Sequence, residues 1–341
     1  MVTFFPAAEY WWFYVGFTVL ILMLLAIDLG VFHRRQHTIT IREAARWSVF
    51  WIALSLAFNA AFLFYAQYAL SNDARLLAMP DFDPADAARQ VALEFLAGYV
   101  VEYTLSVDNM FVFVVIFSFF RVPAPLQHRV LFYGILGALV FRGLFIALGS
   151  ILLAYHWIVV MFGAMLIVTG IRMLKHDAAD TDPGRNLLVR LTRRLVPVTD
   201  EFHGKHFFVR LHEQWHATPL FLALVAIEVS DVVFAIDSVP AIFALTQEPL
   251  IVYTSNAFAI LGLRSLYFVL AAAVVRFSLL KYGLAGVLVF IGLKMIWLNQ
   301  AFDGKFPIVW SLAIIVTLIG GSIVASLMVD RRHSRQSTVG S

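Results

Sequence analysis

Long apolar runs, separated by short polar or Pro/Gly-containing segments, dominate the chain. Nine of them are close to the length of about 20 residues that an α-helix needs to cross a bilayer. The runs lie at residues 10–32, 47–69, 91–119, 130–152, 157–174, 218–245, 251–273, 282–299 and 307–329. The pattern therefore predicts an all-α polytopic membrane protein of about nine transmembrane helices.

The composition agrees with this pattern and limits the chemistry that the chain can perform. Hydrophobic residues make up 61% of the 341 residues, charged residues 14%, and the mean hydropathy is +0.84. Nine spans leave no room for a large soluble catalytic domain. The chain contains no cysteine, which excludes disulfides, thiolate metal sites and thiol catalysis. No HExxH string or activated nucleophile is present, so we predict that the protein is not an enzyme.

Basic residues are distributed unevenly between the segments that connect the runs. With the N-terminus outside, nineteen of the 25 Lys and Arg residues fall in inside segments and three in outside segments. Positive charge accumulates on the cytoplasmic side of membrane proteins. We therefore predict a multi-pass protein of the cell (inner or plasma) membrane, with its N-terminus outside and its C-terminus in the cytoplasm. The first twelve residues lack the basic region of a signal peptide, so we expect no cleavage there.

The runs form five regions along the chain. Two N-terminal helices and an outside loop precede a first three-helix unit, and a cytoplasmic loop separates this unit from a second one. The last helix and a cytoplasmic tail follow, and we expect the tail to be unstructured from Asp330 onwards. The boundaries of the five regions are 1–90, 91–174, 175–217, 218–299 and 300–341.

The two three-helix units carry matching strings around an acidic residue. YTLSVDNMFVF in the first unit resembles VVFAIDSVPAI in the second. A chance match between apolar strings is the competing explanation, and the shared positions of ionisable residues argue against it. The alignment pairs Glu102 with Asp231, Asp108 with Asp237, and Asn109 with Ser238.

The later helices of the two units match as well. LVFRGLFIAL around Arg142 resembles LGLRSLYFVL around Arg264, and GIRM at 170–173 resembles GLKM at 292–295. The first unit would enter the membrane from outside and the second from inside, so their topologies would be opposite. Transporters with such inverted repeats place their substrate site at the repeat interface. We therefore predict an inverted repeat of two three-helix units with a site between them.

Five acidic residues within the apolar runs define this candidate site. Each costs roughly 2.5–3.5 kcal/mol at a helix centre, so something must offset the cost. The bases within the runs, Arg142, Arg264 and Lys294, are too few to neutralise them. Some carboxylates must therefore be protonated or bound to a cation; a structural network of acids and bases is the alternative. The five acids are Glu102, Asp108, Glu228, Asp231 and Asp237.

The ligand types in these strings favour a hard cation. Glu228 and Asp231 are three residues apart and lie on one helical face, whereas Asp237 turns away from Asp231 in a regular helix. Pro240 cannot donate a hydrogen bond to the carbonyl of Ile236, so we expect a distortion beside Asp237. Carboxylate, amide, hydroxyl and carbonyl oxygens suit Mn²⁺, Ca²⁺ or Mg²⁺ rather than softer ions.

These arguments give six candidate metal ligands and four supporting residues. Arg142 and Arg264 are expected to pair with the acids, because nearby carboxylates would repel an anion. Asn256 is either a further oxygen donor or a helix-packing contact. Histidines of the inside loop could bind metal or simply be hydrated, and they stay outside the site: His203, His206, His212 and His216. The predicted metal ligands are Glu102, Asp108, Asn109, Glu228, Asp231 and Asp237, supported by Ser238, Asn256, Arg142 and Arg264.

Three strings of the chain resemble the signature of the TerC family of membrane proteins. They are EYTLSVDNMFVF, EVSDVVFAIDSVPAIFA and TSNAFAILGLRSLYFVL, and the loop string HFFVRLHEQWHATPL is most similar to the Alx branch. The resemblance covers nearly the whole chain. It implies a transporter-like fold of inverted repeats with manganese export as the leading activity. It also implies that the family's acidic motif falls on Glu102, Asp108, Asn109, Glu228, Asp231 and Asp237.

Residues and resemblance together give a functional hypothesis. We predict export of a divalent cation, Mn²⁺ first and Ca²⁺ or Mg²⁺ as open alternatives, with proton entry as a candidate driving reaction. The expected partners are the lipid bilayer, the cation and protons; no nucleic acid is expected, and the oligomeric state stays open. The alternative is a non-transporting membrane scaffold, or a metallation or assembly factor linked to metal or tellurite stress resistance.

Overall fold

The structure is built from helices, with one short β-hairpin. The computed structural model describes residues 3–33, 40–152, 155–175, 197–199, 201–211, 214–271, 279–302 and 306–339. In these ranges the helices are α1 (Ala7–His33), α2 (Ile41–Ser71), α3 (Ala74–Leu77), α4 (Pro84–Phe119), α5 (Ala124–Leu152), α6 (His156–Lys175), α7 (Pro219–Phe243), α8 (Pro249–Leu261), α9 (Leu263–Ala271), α10 (Leu280–Leu293), α11 (Asn299–Ala301) and α12 (Ile308–Val339). A π-helical turn, Lys294–Leu298, continues α10. Strands β1 (Phe208–Leu211) and β2 (Gln214–Ala217) pair antiparallel.

The helices confirm the predicted class, an all-α polytopic membrane protein. In the part of the chain that the structure describes, 8 helices are long and apolar enough to cross a membrane. They match eight of the nine predicted runs. The remaining run, 251–273, is divided into α8 and α9 at Gly262. Glycine is a weak helix former, and an apolar run does not reveal such a break.

Two connecting regions differ from the sequence-based expectation. The predicted inside loop, 175–217, contains the β1–β2 hairpin directly before α7. The tail predicted to be unstructured from Asp330 continues α12 to Val339. That segment has neither glycine nor proline before residue 340, so nothing in it stops a helix that has already formed.

Three helices near the candidate site begin with proline. Pro84, Pro219 and Pro249 occupy the first turn of α4, α7 and α8. Proline suits this place because its missing N–H would have no intrahelical acceptor there. In α4 the preceding residue, Asp83, also accepts a hydrogen bond from the backbone N–H of Ala85. These starts fix where each helix enters the bundle.

Helix α4 is the central element of the bundle. In its most apolar stretch 69% of the residues are buried, against 11% in α12. It packs against α2, α7, α8, α9 and α12, while α5 packs against α7 and α8, and α1 against α8. The acidic strings of the sequence lie on α4 and α7, two helices that are in contact. The fold therefore brings both strings to the interior.

Helices α6 and α10 pack through glycines. A Cβ added at Gly292 would lie 2.5 Å from the carbonyl oxygen of Gly163. A Cβ added at Gly170 would lie 2.8 Å from the carbonyl oxygen of Ala285. Small residues allow such close approach of two backbones in membrane helices. The third helices of the two sequence units are thus in direct backbone contact.

Candidate functional site

A buried arginine of α5 joins three other helices. The Nη1 atom of Arg142 contacts a carboxylate oxygen of Glu102 on α4 and donates to the Oδ1 atom of Asn256 on α8 over 2.9 Å. Its Nη2 and Nε atoms donate to the two carboxylate oxygens of Asp231 on α7, over 3.0 and 3.4 Å. Between 0% and 3% of each of these four residues is exposed. The four side chains form one polar cluster in the interior, which we call the Arg142 cluster.

The Arg142 cluster contains two carboxylates and one guanidinium. Glu102 and Asp231 are the two acids that the sequence alignment pairs, and the structure brings them to the same guanidinium. Burying charges is costly unless they are paired and hydrogen-bonded. With both acids ionised, the cluster retains one excess negative charge. It can therefore attract a proton or a further cation.

Several polar atoms of the cluster have unused hydrogen-bonding capacity. Ser106 donates to the Oε1 atom of Glu102 over 3.3 Å. The Oε2 atom of Glu102 and the Nδ2 atom of Asn256 have no hydrogen-bond partner among the described residues. Buried polar atoms of this kind are uncommon in folded proteins. A carboxylate oxygen without a donor is available to a proton or a metal ion.

Glu228 lies one helical turn before Asp231 and faces α5. A Cβ added at Gly137 would collide with its carboxylate, so the glycine makes room for this side chain. Its Oε2 atom is buried and has no hydrogen-bond partner in the described part of the chain. Glu228 also forms no ion pair with a described base. It is a second carboxylate of α7 next to the Arg142 cluster.

Asp237 points to a different neighbour. Its Oδ1 atom accepts a hydrogen bond from Thr169 of α6 over 3.3 Å, and the side chain is half-buried. Helix α7 continues through Pro240 to Phe243, and the distortion expected beside Asp237 stays a prediction. A regular helix turns Asp237 away from Asp231, as its spacing of six residues requires. The neighbouring Ser238 is buried, and its Oγ atom has no hydrogen-bond partner among the described residues.

The first acidic string is described less completely. Asp108 lies in α4, and its side chain is outside the described part of the structure. Asn109 is buried, with 7% of the residue exposed. The predicted pairing of Asp108 with Asp237 therefore stays a prediction.

The second arginine has a partner that the sequence analysis missed. Arg264 on α9 forms an ion pair with the carboxylate of Asp28 on α1, and its Nη2 atom also donates to the backbone carbonyl of Asp28 over 3.3 Å. Only 3% of each residue is exposed. We expected Arg264 to pair with the predicted acids of the site. Among those acids whose side chains the structure describes, none pairs with it. The sequence did contain one signal for this partner, because Asp28 is the one acidic residue within the apolar run 10–32.

A small cavity lies between these two polar groups. Its volume is about 10 Å³, close to the space that one water molecule needs. Asp231 and Arg264 both line it, and the remaining wall includes Met110, Phe113 and Ile227. The second arginine and the acid that the first arginine holds thus line the same small cavity.

The described side chains do not form a ready-made metal cage. Within the residues that the structure describes, no three His, Cys, Asp or Glu side chains are grouped as metal ligands. Arg142 fills the space between Glu102 and Asp231. Of the loop histidines, His203, His206 and His216 are described without forming such a group, and His212 lies outside the described residues.

Comparison with known proteins identifies the family. Residues 87–334 match the model of the integral membrane protein TerC family. An uncharacterized membrane protein of Myxococcus xanthus is 46% identical over 325 residues, covering 95% of this chain and 94% of its own. The provisionally named membrane-bound redox modulator Alx of Escherichia coli K12 is 45% identical over 323 residues, covering 94% and 96%. No solved structure matches the chain. The chain belongs to the TerC family of integral membrane proteins.

Proposed function

We propose that this protein exports a divalent metal cation, Mn²⁺, through a carboxylate site between inverted repeats. One observation carries the proposal. Glu102 and Asp231, which occupy aligned positions in the two sequence units, meet at a single buried guanidinium, and as ionised carboxylates they exceed it in charge. A purely structural network would balance its charges, because unpaired buried charge is costly.

Reciprocal packing supports the inverted repeat. Helix α4, the first of its unit, packs against the second helix of the other unit (α8 and α9), and α7 packs in the same way against α5. The offset in sequence that aligns the two arginines also relates Gly163 to Ala285 and Gly170 to Gly292. If each residue is replaced by the one aligned with it, the contact of Gly292 with the carbonyl of Gly163 becomes the contact of Gly170 with the carbonyl of Ala285. A two-fold relation between the units explains such an exchange.

The distribution of basic residues supports the orientation. With α8 and α9 together forming one crossing, the chain crosses the membrane nine times. The N-terminus is then outside and the C-terminus inside, with the arginine-rich segments in the cytoplasm. The hairpin before α7 belongs to the cytoplasmic side, and α1 runs from outside to inside.

The donor atoms support a hard cation. Glu102, Asp231, Glu228 and Asn256 offer only oxygen atoms as ligands, which Mn²⁺, Mg²⁺ and Ca²⁺ accept. In the structure Arg142 holds the position between two of these carboxylates. An arriving cation takes over this position from the guanidinium, so that Arg142 alternates with the substrate as counter-charge. This exchange keeps the acids from being buried without a cation.

Export needs an energy source. Moving a divalent cation out against an inside-negative potential costs roughly 4.6 kcal/mol per 100 mV, twice the cost of a single charge. Protons entering from outside supply this energy if they protonate the carboxylates and release the metal. Metal and proton then compete for the same oxygens, and movement of the two units against each other provides alternating access.

The alternative function is a membrane scaffold or assembly factor that binds metal without transporting it. The name of the Escherichia coli relative points to redox modulation. This chain contains no cysteine, so its own side chains cannot perform thiol–disulfide exchange. A redox effect would then follow indirectly from a changed metal content of the cell.

Uptake of radiolabelled Mn²⁺ into everted membrane vesicles with an acidic lumen tests the proposal. We expect the imposed pH gradient to drive uptake. Glu102→Gln lowers the initial rate by at least about 10- to 100-fold, the loss that is typical even for groups that only support metal ligands. Arg142 keeps its bonds to Asp231 in this variant. The matched control, Glu9→Gln, changes an exposed carboxylate and leaves the rate unaltered.

Two results would contradict the proposal in different ways. Uptake that does not depend on the pH gradient would remove proton coupling and leave transport in place. Purified protein that binds Mn²⁺ in liposomes without moving it would favour the scaffold. Competition by Mg²⁺ and Ca²⁺ in the same vesicles determines which of the three ions is preferred.

A further inference from the structure

Helix α1 contributes one buried acidic residue to the interior of the bundle. Asp28 is 3% exposed, although α1 lies at the periphery, where 17% of its most apolar stretch is buried. The helix also lies outside residues 87–334, which match the family model. An acid at such a position is costly within a membrane and marks a functional residue by default.

The partner of Asp28 is the second arginine of the repeat alignment. The carboxylate and the backbone carbonyl of Asp28 both accept from Arg264. Arg264 also lines the cavity that Asp231 lines. Among the described residues, two carboxylates lie around this guanidinium: Asp28 on α1, its ion-pair partner, and Asp231 on α7, which lines the same cavity.

The choice between these carboxylates sets the charge of the Arg142 cluster. With Arg264 held by Asp28, Glu102 and Asp231 face one guanidinium, and one negative charge is in excess. With Arg264 turned towards Asp231, two guanidinium groups would face two carboxylates. The cluster would then be neutral and would no longer attract a divalent cation through its net charge.

We propose that Asp28 is a positioning residue for cation binding. It holds Arg264 on the α1 side of the cavity and so preserves the negative charge of the Arg142 cluster. This inference rests on the proposed function, because it assigns Asp28 a role at the same cation site. Asp28 acts through Arg264 and does not itself touch the cation. The N-terminal helix thereby contributes to a site whose other members all lie within the family match.

The role predicts a specific pattern of single and double variants. Asp28→Asn removes the carboxylate that holds Arg264 on the α1 side, and we expect the affinity for Mn²⁺ to fall about tenfold or more, since each 1.4 kcal/mol of unfavourable interaction is a factor of ten. Asp28→Glu retains the affinity because it keeps the charge. Asp28→Asn combined with Arg264→Gln restores it, because the released guanidinium is gone.

Mn²⁺ titration of the purified full-length chain by calorimetry measures these affinities, with Mn²⁺ flux in proteoliposomes and thermal unfolding of the same samples as second readouts. The matched control is Thr18→Val. Thr18 shares a hydrogen bond of 2.8 Å with the hydroxyl of Tyr253 on α8, so this change weakens the docking of α1 without altering charge. We expect the control to lower the unfolding temperature and to leave the Mn²⁺ affinity of the folded protein unchanged.

Each outcome decides between explanations. Asp28→Asn protein that is less stable but binds Mn²⁺ like wild type would overturn the inference and leave the proposed function intact. A double variant as weak as Asp28→Asn alone would overturn it too, because Asp28 would then act on the cation directly. Wild-type protein that neither binds nor moves Mn²⁺ would overturn the proposed function itself, a result separate from the first two. Restored binding in the double variant, together with an unaffected Thr18→Val control, supports the inference.

Discussion

The two buried arginines occupy aligned positions in the two sequence units but have different surroundings. Arg142 meets two acids and one amide from three helices of the core. Arg264 meets Asp28, which comes from a helix outside the repeat. With its two acids ionised, the first arrangement has excess negative charge, whereas the ion pair of Arg264 with Asp28 is by itself neutral. Two positions that align in sequence can thus have electrostatically different surroundings, because a helix from outside the aligned units contributes to one of them.

This difference bears on stability as well as on function. Removing one partner of a buried ion pair leaves an uncompensated charge, which costs more than the pair contributed. Among the described residues, loss of Arg142 leaves two carboxylates in this state, and loss of Arg264 leaves one. Substitutions of the two arginines should therefore differ in severity.

The largest effect is expected for Arg142→Leu. We predict a loss of about 3–5 kcal/mol or more in the free energy of unfolding, since two buried acids lose their counter-charge. Arg264→Leu should lose less, near the lower end of that range, about 3 kcal/mol. Titration with sodium dodecyl sulfate in mixed micelles, followed by tryptophan fluorescence, measures both values.

Arg129→Leu is the matched control, because this arginine also lies on α5 and stacks over the rings of Tyr133 and Phe207. Its loss should cost at most about 1 kcal/mol. Equal losses of stability in Arg142→Leu and Arg264→Leu would mean that the two arginines are energetically equivalent. That result would contradict the larger loss expected for Arg142, which contacts two acids.

A smaller effect is expected for Gly137→Ala, which tests the crowding of Glu228. The new methyl group would force this carboxylate out of its place, and overpacking of this kind costs about 1–3 kcal/mol. Gly143→Ala on the same helix is the control, since its nearest neighbour would be an atom of Tyr253 at 3.9 Å. Thermal unfolding and Mn²⁺ flux measure the consequence. Indistinguishable behaviour of the two variants would show that Glu228 has room to move.

The smallest effect is expected for an exposed pair outside the spans. Hydrogen bonds and charge from Arg75 lower the pKa of Asp73 below its ordinary value. A lowered pKa stabilises the fold above the ordinary pKa, and this contribution is lost as the pH falls through the lowered value. Asp73→Asn keeps a residue suited to the N-cap of α3 and should cost under about 1 kcal/mol at pH 7. Thermal unfolding compared at pH 7 and pH 3 should show the difference between variant and wild type shrinking at the lower pH.

Most of the fold could be predicted from the apolar runs, because a bilayer imposes both their length and their composition. The division of the seventh run at Gly262 could not. The hydropathy of an apolar run predicts that the segment enters the lipid bilayer. It does not predict where a helix within that segment changes direction. The start of α4 at Pro84, well before the predicted residue 91, follows from capping by Asp83, which hydropathy does not register.

The Arg142 cluster could be predicted as far as the alignment of the two sequence units extends. Alignment of the two units paired Glu102 with Asp231, and the structure brings these acids to one guanidinium. The partner of Arg264 could not be found in this way, because Asp28 has no counterpart in the alignment. Which distant helix supplies a counter-charge depends on how α1 packs on the bundle, where it contacts α8, and a single sequence contains no record of that contact.

The close contact of α6 with α10 limits how this family can vary. A larger residue at Gly292 would meet the carbonyl oxygen of Gly163, and one at Gly170 would meet that of Ala285. Every amino acid has a backbone carbonyl, so no substitution on the opposite helix can create the missing space. Evolutionary drift at these glycines cannot be compensated by a single change at the partner position. Small residues should persist there across relatives even where the surrounding apolar residues exchange freely.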